Sequence, residues 1–166
     1  MLHYTPIPIL AGSRPMITLE PIGHVSNTRT AVTDDDWGDV VSAITLVPSL
    51  GASALTGLDS FSHAEILFHF DRVPDDRIET EARRPRNNPA WPLVGIFAQR
   101  GKNRPNRLGL TIVDIIGVAG RVLTVRGLDA IDGTPILDIK PVMREFQPRG
   151  EIRQPDWVAE LMADYW

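Results

Sequence analysis

Fourteen prolines and thirteen glycines are spread along the 166 residues instead of gathering in one linker. Proline lacks an N–H and fixes φ, and glycine weakens any regular element it interrupts, so this punctuation leaves only short segments between breaks. Short segments bounded by turn residues are the material of all-β domains. The clearest strand is Phe61 to Phe70, where Ala64, Ile66, Phe68 and Phe70 fall on one face and His63, Glu65 and His69 on the other. That period of two marks a half-buried strand. Further strands are expected over Ile17 to Val25, Val40 to Val47, Val94 to Ala98, Leu108 to Val118, Arg121 to Arg126 and Ile136 to Ile139. Seven strands predict a barrel or a sandwich. One helix is expected near the end, with Asp156 as cap after Pro155 and an apolar stripe of Trp157, Leu161 and Tyr165. A weaker helix is expected from Ala52 to Leu58.

The length fits one domain. The sequence has no cysteine, which removes disulfides, iron–sulfur clusters, thiolate zinc sites and cysteine nucleophiles. The longest uncharged stretch, Val40 to Leu58, contains Pro48, Gly51 and Gly57 and fails as a membrane span. Met1 to Leu10 has no Lys or Arg ahead of an apolar core and fails as an export signal. The chain is therefore read as cytoplasmic, with no membrane partner.

Charge is unevenly placed. Ala82 to Leu110 contains Arg83, Arg84, Arg86, Arg100, Lys102, Arg104 and Arg107 and no acid, although the whole chain carries a net charge of −4. Either this is a solvated arginine-rich loop or it is a phosphate-binding surface, since guanidinium forks match phosphate oxygens. Trp91 and Phe97 lie in the same segment and offer stacking faces, core packing being the better expectation for Phe97.

Other constellations are excluded by geometry. His63 and His69 stand about 20 Å apart along a strand, too far for one metal ion, so no metal site is expected. Ser60, Ser62 and His63 lack the Gly-x-Ser-x-Gly elbow of a hydrolase. Gly101 to Gly109 lacks the Gly-Lys-Ser/Thr ending of a phosphate loop and reads as a tight turn at Pro105-Asn106 holding Arg100, Arg104 and Arg107 together. Arg126 to Pro135 reads as a hairpin connection turning at Asp132-Gly133 and clustering Asp129, Asp132 and Asp138.

Several ordered motifs carry a resemblance. Gly95-Ile-Phe-Ala-Gln-Arg100, Asn103-Arg-Pro-Asn106 with Leu108-Gly-Leu110, Gly127-Leu-Asp129 and Asp132-Gly-Thr-Pro-Ile-Leu-Asp-Ile-Lys-Pro141 resemble the TrmO family, also called YaeB or TsaA-like. Ile22-Gly23 and Gly57-Leu-Asp-Ser-Phe-Ser-His63 support it. The similarity runs over about residues 17–145, which implies a barrel domain there, an extension over 1–16 and a helical segment over 146–166. The resemblance implies a homodimeric enzyme, a small antiparallel β-barrel with a C-terminal helix, that uses S-adenosylmethionine to methylate the base nitrogen of threonylcarbamoyladenosine beside the anticodon of tRNA. Its cofactor contacts would fall on Trp37, Gly38, Phe70, Asp71, Arg72, Arg100, Leu110, Arg126, Gly127, Leu128 and Asp129. Arg107 stands where a proline is usual, and Val142 where a tyrosine usually follows Lys-Pro.

The chemistry of the implied donor fits these residues. Asp129 or Asp71 would face its sulfonium and amino groups, and Arg100 its carboxylate. Methyl transfer is an in-line displacement achieved mainly by alignment, so few catalytic side chains are needed. Position in the hairpin makes Asp132 and Asp138 the candidate bases, with Lys140 or Arg104 stabilising charge on the carbamoyl oxygen. The tRNA would rest on Arg83, Arg84, Arg86, Lys102, Arg104 and Arg107. Two alternatives stand beside this reading: a non-catalytic module that binds S-adenosylmethionine or RNA, and a methyltransferase for a small molecule.

Overall fold

The computed structural model describes residues 16–166, so the first fifteen residues, including most of the expected 1–16 extension, lie outside it. Eight strands form in chain order: β1 (Gly23–Ser26), β2 (Val41–Leu46), β3 (His63–His69), β4 (Ala82–Arg83), β5 (Val94–Gly95), β6 (Leu108–Ala119), β7 (Val122–Arg126) and β8 (Pro135–Pro141). Six of them close into an antiparallel barrel of order β1-β2-β7-β6-β3-β8, while β4 and β5 pair as a separate ribbon. The mainly-β expectation therefore resolves to a barrel, whose closure removes the exposed edges that an open sheet would present.

Strand alternation explains the core. Ala64, Ile66 and Phe68 of β3 are fully buried, as are Ile44, Leu123, Val125 and Ile136 from the neighbouring strands. Burying each large apolar side chain contributes roughly 1.5–3 kcal/mol. Phe70 sits edge-on to Phe68, with ring centroids 5.1 Å apart. Gly109, opposite Phe68 in the register, leaves the room that this ring needs: a Cβ there would stand 2.3 Å from the ring.

Some expected elements are shorter or differently joined. The strand expected over Ile17 to Val25 begins only at Gly23, because Pro21 cannot donate to a ladder and Met16 and Ile17 remain exposed. Val94 to Ala98 is strand for two residues and then a 3₁₀ turn over Ile96–Ala98. Ala52 to Leu58 becomes 3₁₀ turns at Ala52–Leu55 and Leu58–Ser60, in keeping with the glycine that separates them. Asp132-Gly133 does turn, with Gly133 at φ 84°, but the connection is no hairpin. β7 pairs with β2 and β6, and β8 with β1 and β3. The segment therefore crosses one end of the barrel, and this disperses the expected cluster of Asp129, Asp132 and Asp138.

The helix, α1, spans only Asp156–Leu161, and its cap is Pro155 rather than Asp156, which is its first helical residue. Tyr165 thus lies beyond the helix. Residues 162–166 form a strap that returns to the early loop, where Asp36 N–H donates to Asp164 O at 2.9 Å and Trp37 N–H to Tyr165 O at 2.8 Å.

Candidate functional site

Two clefts lie on one outer face of the barrel. The first, of about 360 Å³, is bordered by Phe70 at the end of β3, Leu110 on β6, Phe97, Arg100, Arg104 and Asp129. Its chemistry is bipolar, because a carboxylate and two guanidinium groups border apolar walls. Asp129 is placed by its neighbours: Gly127 turns the chain at φ 79°, and Leu128 is buried in the core. Its two oxygens accept hydrogen bonds from Thr111 Oγ1 on β6 and from the Tyr165 hydroxyl of the strap. Burial, and then the charge and hydrogen bond of Asp129, push the Tyr165 phenol well above the usual tyrosine range, so it is a fixed donor. Arg100 is held over the cleft by donating to Leu110 O, and Arg104 by donating to Gln99 O at 3.3 Å.

The second cleft, of about 310 Å³, is bordered by Gly38, His63, Ile112, Asp114, Arg126, Gly127 and Trp166. His63 Nε2 lies 3.0 Å from Asp114 Oδ1, and the Ser62 hydroxyl lies 2.7 Å from His63 Nδ1. Trp166 packs its main chain on Gly38, where a Cβ would come within 2.7 Å of the Trp166 carbonyl carbon. The early loop can therefore carry only glycine there while the strap is docked.

A family model for the tRNA-methyltransferase O N-terminal domain matches residues 34–147, a span holding every residue that borders the first cleft. The chain belongs to the TrmO family. It is 32% identical over 138 residues to a probable S-adenosyl-L-methionine-binding protein of Methanothermobacter thermautotrophicus, covering 81% of this chain and 96% of that protein. It is 38% identical over 112 residues to a human tRNA (adenine(37)-N6)-methyltransferase, covering 68% of this chain. The chain spans 24% of the length of that human relative. A crystal structure of TrmO from Pseudomonas aeruginosa matches with a TM-score of 0.66 at 25% identity, covering 84% of this chain and 62% of that one.

Of the cofactor contacts expected for this TrmO-family protein, Phe70, Arg100, Leu110 and Asp129 converge on the first cleft, together with the candidate Arg104. Gly38, Arg126 and Gly127 border the second. Leu128 is core, and Trp37 is buried beneath the Arg29 guanidinium, 4.4 Å from its ring centroid. Asp71 and Arg72 border neither cleft; Arg72 instead ties the crossing segment by donating to Asp132 O at 2.9 Å. The other three catalytic candidates also border neither, although Asp138 stands opposite Leu67, a lining residue of the first cleft, in the strand register. Asp132 Oδ1 accepts from Asn27 N at 3.1 Å and braces the end of β1. Asp138 and Lys140 pair with each other on the outside of β8, where that carboxylate raises the Lys140 pKa.

The basic segment is largely self-satisfied. Arg86 pairs with Asp35, Lys102 with Asp34 at 3.1 Å, Arg107 with Asp75 at 2.9 Å and Arg83 with Glu79 at 3.5 Å. Donating to the Asp35 carboxylate raises the Arg86 pKa further. Arg84 donates to Trp91 O. The early acidic loop thus neutralises part of the expected basic face. The two aromatic residues exchange the expected roles: Trp91 is buried with its Nε1 donating to Glu160 Oε2 at 2.8 Å, and Phe97 is 77% exposed at the first cleft. Sequence reasoning missed Thr111, the pairing of His63 with Asp114, and the strap residues Tyr165 and Trp166. The Trp157–Leu161–Tyr165 spacing carried the strap signal, but it was absorbed into a helix that stops at Leu161.

Proposed function

We propose that this protein is an S-adenosylmethionine-dependent methyltransferase acting on the base nitrogen of threonylcarbamoyladenosine next to the anticodon of tRNA. The observation that carries the reading is the first cleft, where Asp129 and Arg100 border the same space as Phe70, Phe97 and Leu110. The donor is a zwitterion with a sulfonium and an adenine, and this set matches it group by group. Asp129 would face the cationic end, Arg100 the carboxylate, and the aromatic and aliphatic walls the purine. The volume lies at the lower end of the range for small-ligand clefts. Each Asp129 oxygen keeps a second lone pair after bonding Thr111 or Tyr165, so the carboxylate still has acceptor capacity.

When bound, the donor would supply an electrophilic methyl group. The chain's own residues would align, dehydrate and neutralise. Thr111 and Tyr165 fix the Asp129 carboxylate, and the carbonyl of Leu110 fixes Arg100, so both charges are preorganised. Arg104 is the one catalytic candidate at this cleft, and we assign it to stabilising charge on the carbamoyl oxygen. The paired cations of 83–107 are exposed enough to exchange carboxylate partners for phosphates, since surface ion pairs contribute only about 0–1 kcal/mol.

The protein is also proposed to act in the cytoplasm as a homodimer. Val41 and Ile116 leave exposed apolar side chains outside both clefts, which supports association. Among the described residues, no helix is long and apolar enough to cross a membrane. Incubation with labelled S-adenosylmethionine and total tRNA tests the reading: label transferred to tRNA is the expected result, and RNA retention without transfer overturns it in favour of a binding module. The internal pairing of the basic segment favours a small-molecule acceptor as the second reading. Equal activity on free nucleoside and intact tRNA would establish that alternative.

A further inference from the structure

The carboxylates that cover the basic segment come from outside it. Residues 82–110 contain no acid of their own. Asp34 and Asp35 of the early loop reach across 68 and 51 positions to Lys102 and Arg86. Arg86 donates through both terminal nitrogens, Nη1 to one Asp35 oxygen at 2.9 Å and Nη2 to the other. That two-pronged fork is the one a guanidinium makes on a phosphate, and a lysine ammonium takes either anion as a point charge. From this fit we propose that Asp34 and Asp35 are a built-in competitor for RNA phosphates, which must displace the two carboxylates to reach Arg86 and Lys102. The inference rests on the tRNA reading above and deepens it by naming the residues that hold the RNA surface in check.

The loop is built to present these side chains. Its main chain is tied down elsewhere: Arg29 donates to Asp35 O at 2.6 Å and to Asp36 O at 3.1 Å, and the Asp36 and Trp37 amides donate to the strap. Neither the Asp34 nor the Asp35 carboxylate takes part in those ties, so both can leave their partners while the loop stays in place. Arg86 stands at φ 47°, a left-handed backbone that non-glycine residues rarely adopt, and this strained residue is the one whose guanidinium meets the loop. Both pairs are partly open to solvent, so phosphate can reach them. One phosphate replacing one carboxylate gains little, because like charge replaces like. An RNA strand offers a charge at every nucleotide, replaces both carboxylates at once and releases its own counterions.

The test measures binding of a fluorescein-labelled RNA stem-loop to the full chain. Asp34→Asn and Asp35→Asn should each tighten binding about two- to fivefold, the range that one exposed ion pair allows. The two together should tighten it about four- to 25-fold if they act independently. Asp36→Asn removes the same charge beside them, breaks no ion pair among the described residues and suits the local φ of 62°. It should change binding by less than about 1.5-fold, because a screened charge acts weakly at a distance. In a Lys102→Ala background, Asp34→Asn should likewise gain less than about 1.5-fold, since its carboxylate then has no lysine to cover. Asp34→Asn and Asp35→Asn binding RNA like wild type overturns the proposal. Equal gains for all three asparagine variants overturn it too, because they mark a general field, and so does an Asp34→Asn gain that survives Lys102→Ala. RNA binding by none of these proteins also overturns it. Tighter RNA binding without transfer of label from S-adenosylmethionine would sink the enzymatic reading while leaving the competitor standing.

Discussion

Tyr165→Phe removes one hydroxyl and keeps the ring, so it isolates the bond to Asp129. A hydrogen bond to a charged acceptor contributes about 1.5–3 kcal/mol. The strap lies outside the barrel core, so the loss falls on its local opening rather than on global unfolding. At 1.36 kcal/mol per factor of ten, the opening constant should rise roughly 10- to 150-fold. The Trp37 amide, which donates to Tyr165 O at 2.8 Å, reports that opening through hydrogen exchange at neutral pH. Amides of β3, held in the closed barrel, should exchange as in wild type. pH supplies a second readout. The phenol's pKa is raised above its ordinary 10.0. A group raised in the folded state stabilises fully below its unfolded pKa and loses that stabilisation as pH climbs beyond it. Wild-type docking should therefore hold up to about pH 10 and weaken above it, while the phenylalanine variant shows no such loss. Equal exchange of the Trp37 amide in the two proteins at neutral pH would refute the reasoning.

Gly109→Ala should destabilise the barrel by about 1–3 kcal/mol or more, read as a lowered Tm, because its Cβ meets the buried ring of Phe68. Asp138→Asn should keep full methyl transfer to tRNA, since this carboxylate faces Lys140 outside both clefts; a large loss of turnover in a folded variant would restore it as the base. Lys102→Ala should cost less than about 1 kcal/mol in denaturant unfolding, yet lower the salt dependence of RNA binding by roughly one counterion. An unchanged salt slope would remove Lys102 from the RNA surface.

The barrel was legible where alternation was strong. In β3, His63 to His69, the buried and outward residues fall as the period of two requires, and β2, β6, β7 and β8 match their expected segments within about two residues. Connectivity was not legible. Asp132-Gly133 is a genuine turn, but turn chemistry does not reveal whether the flanking strands pair, and here β1 and β2 separate β8 from β7 around the barrel. The same error placed Asp132 and Asp138 beside Asp129. In the site, Arg100, Leu110 and Asp129 followed from motif resemblance, whereas Thr111 was hidden because its partner lies 18 positions away. The seven cations of 82–110 were visible as composition. Their carboxylate partners Asp34, Asp35 and Asp75 are long-range contacts, which no local count can show.

In the proposed function, Asp129 and Arg100 would grip opposite ends of one donor. Calorimetric titration of S-adenosylmethionine into wild type, Asp129→Asn and Arg100→Ala tests this most directly, with circular dichroism confirming the folded barrel. Losing one charge-assisted contact should weaken binding about 10- to 100-fold in each variant. Undiminished affinity in both folded variants would contradict the assignment of the first cleft to the donor.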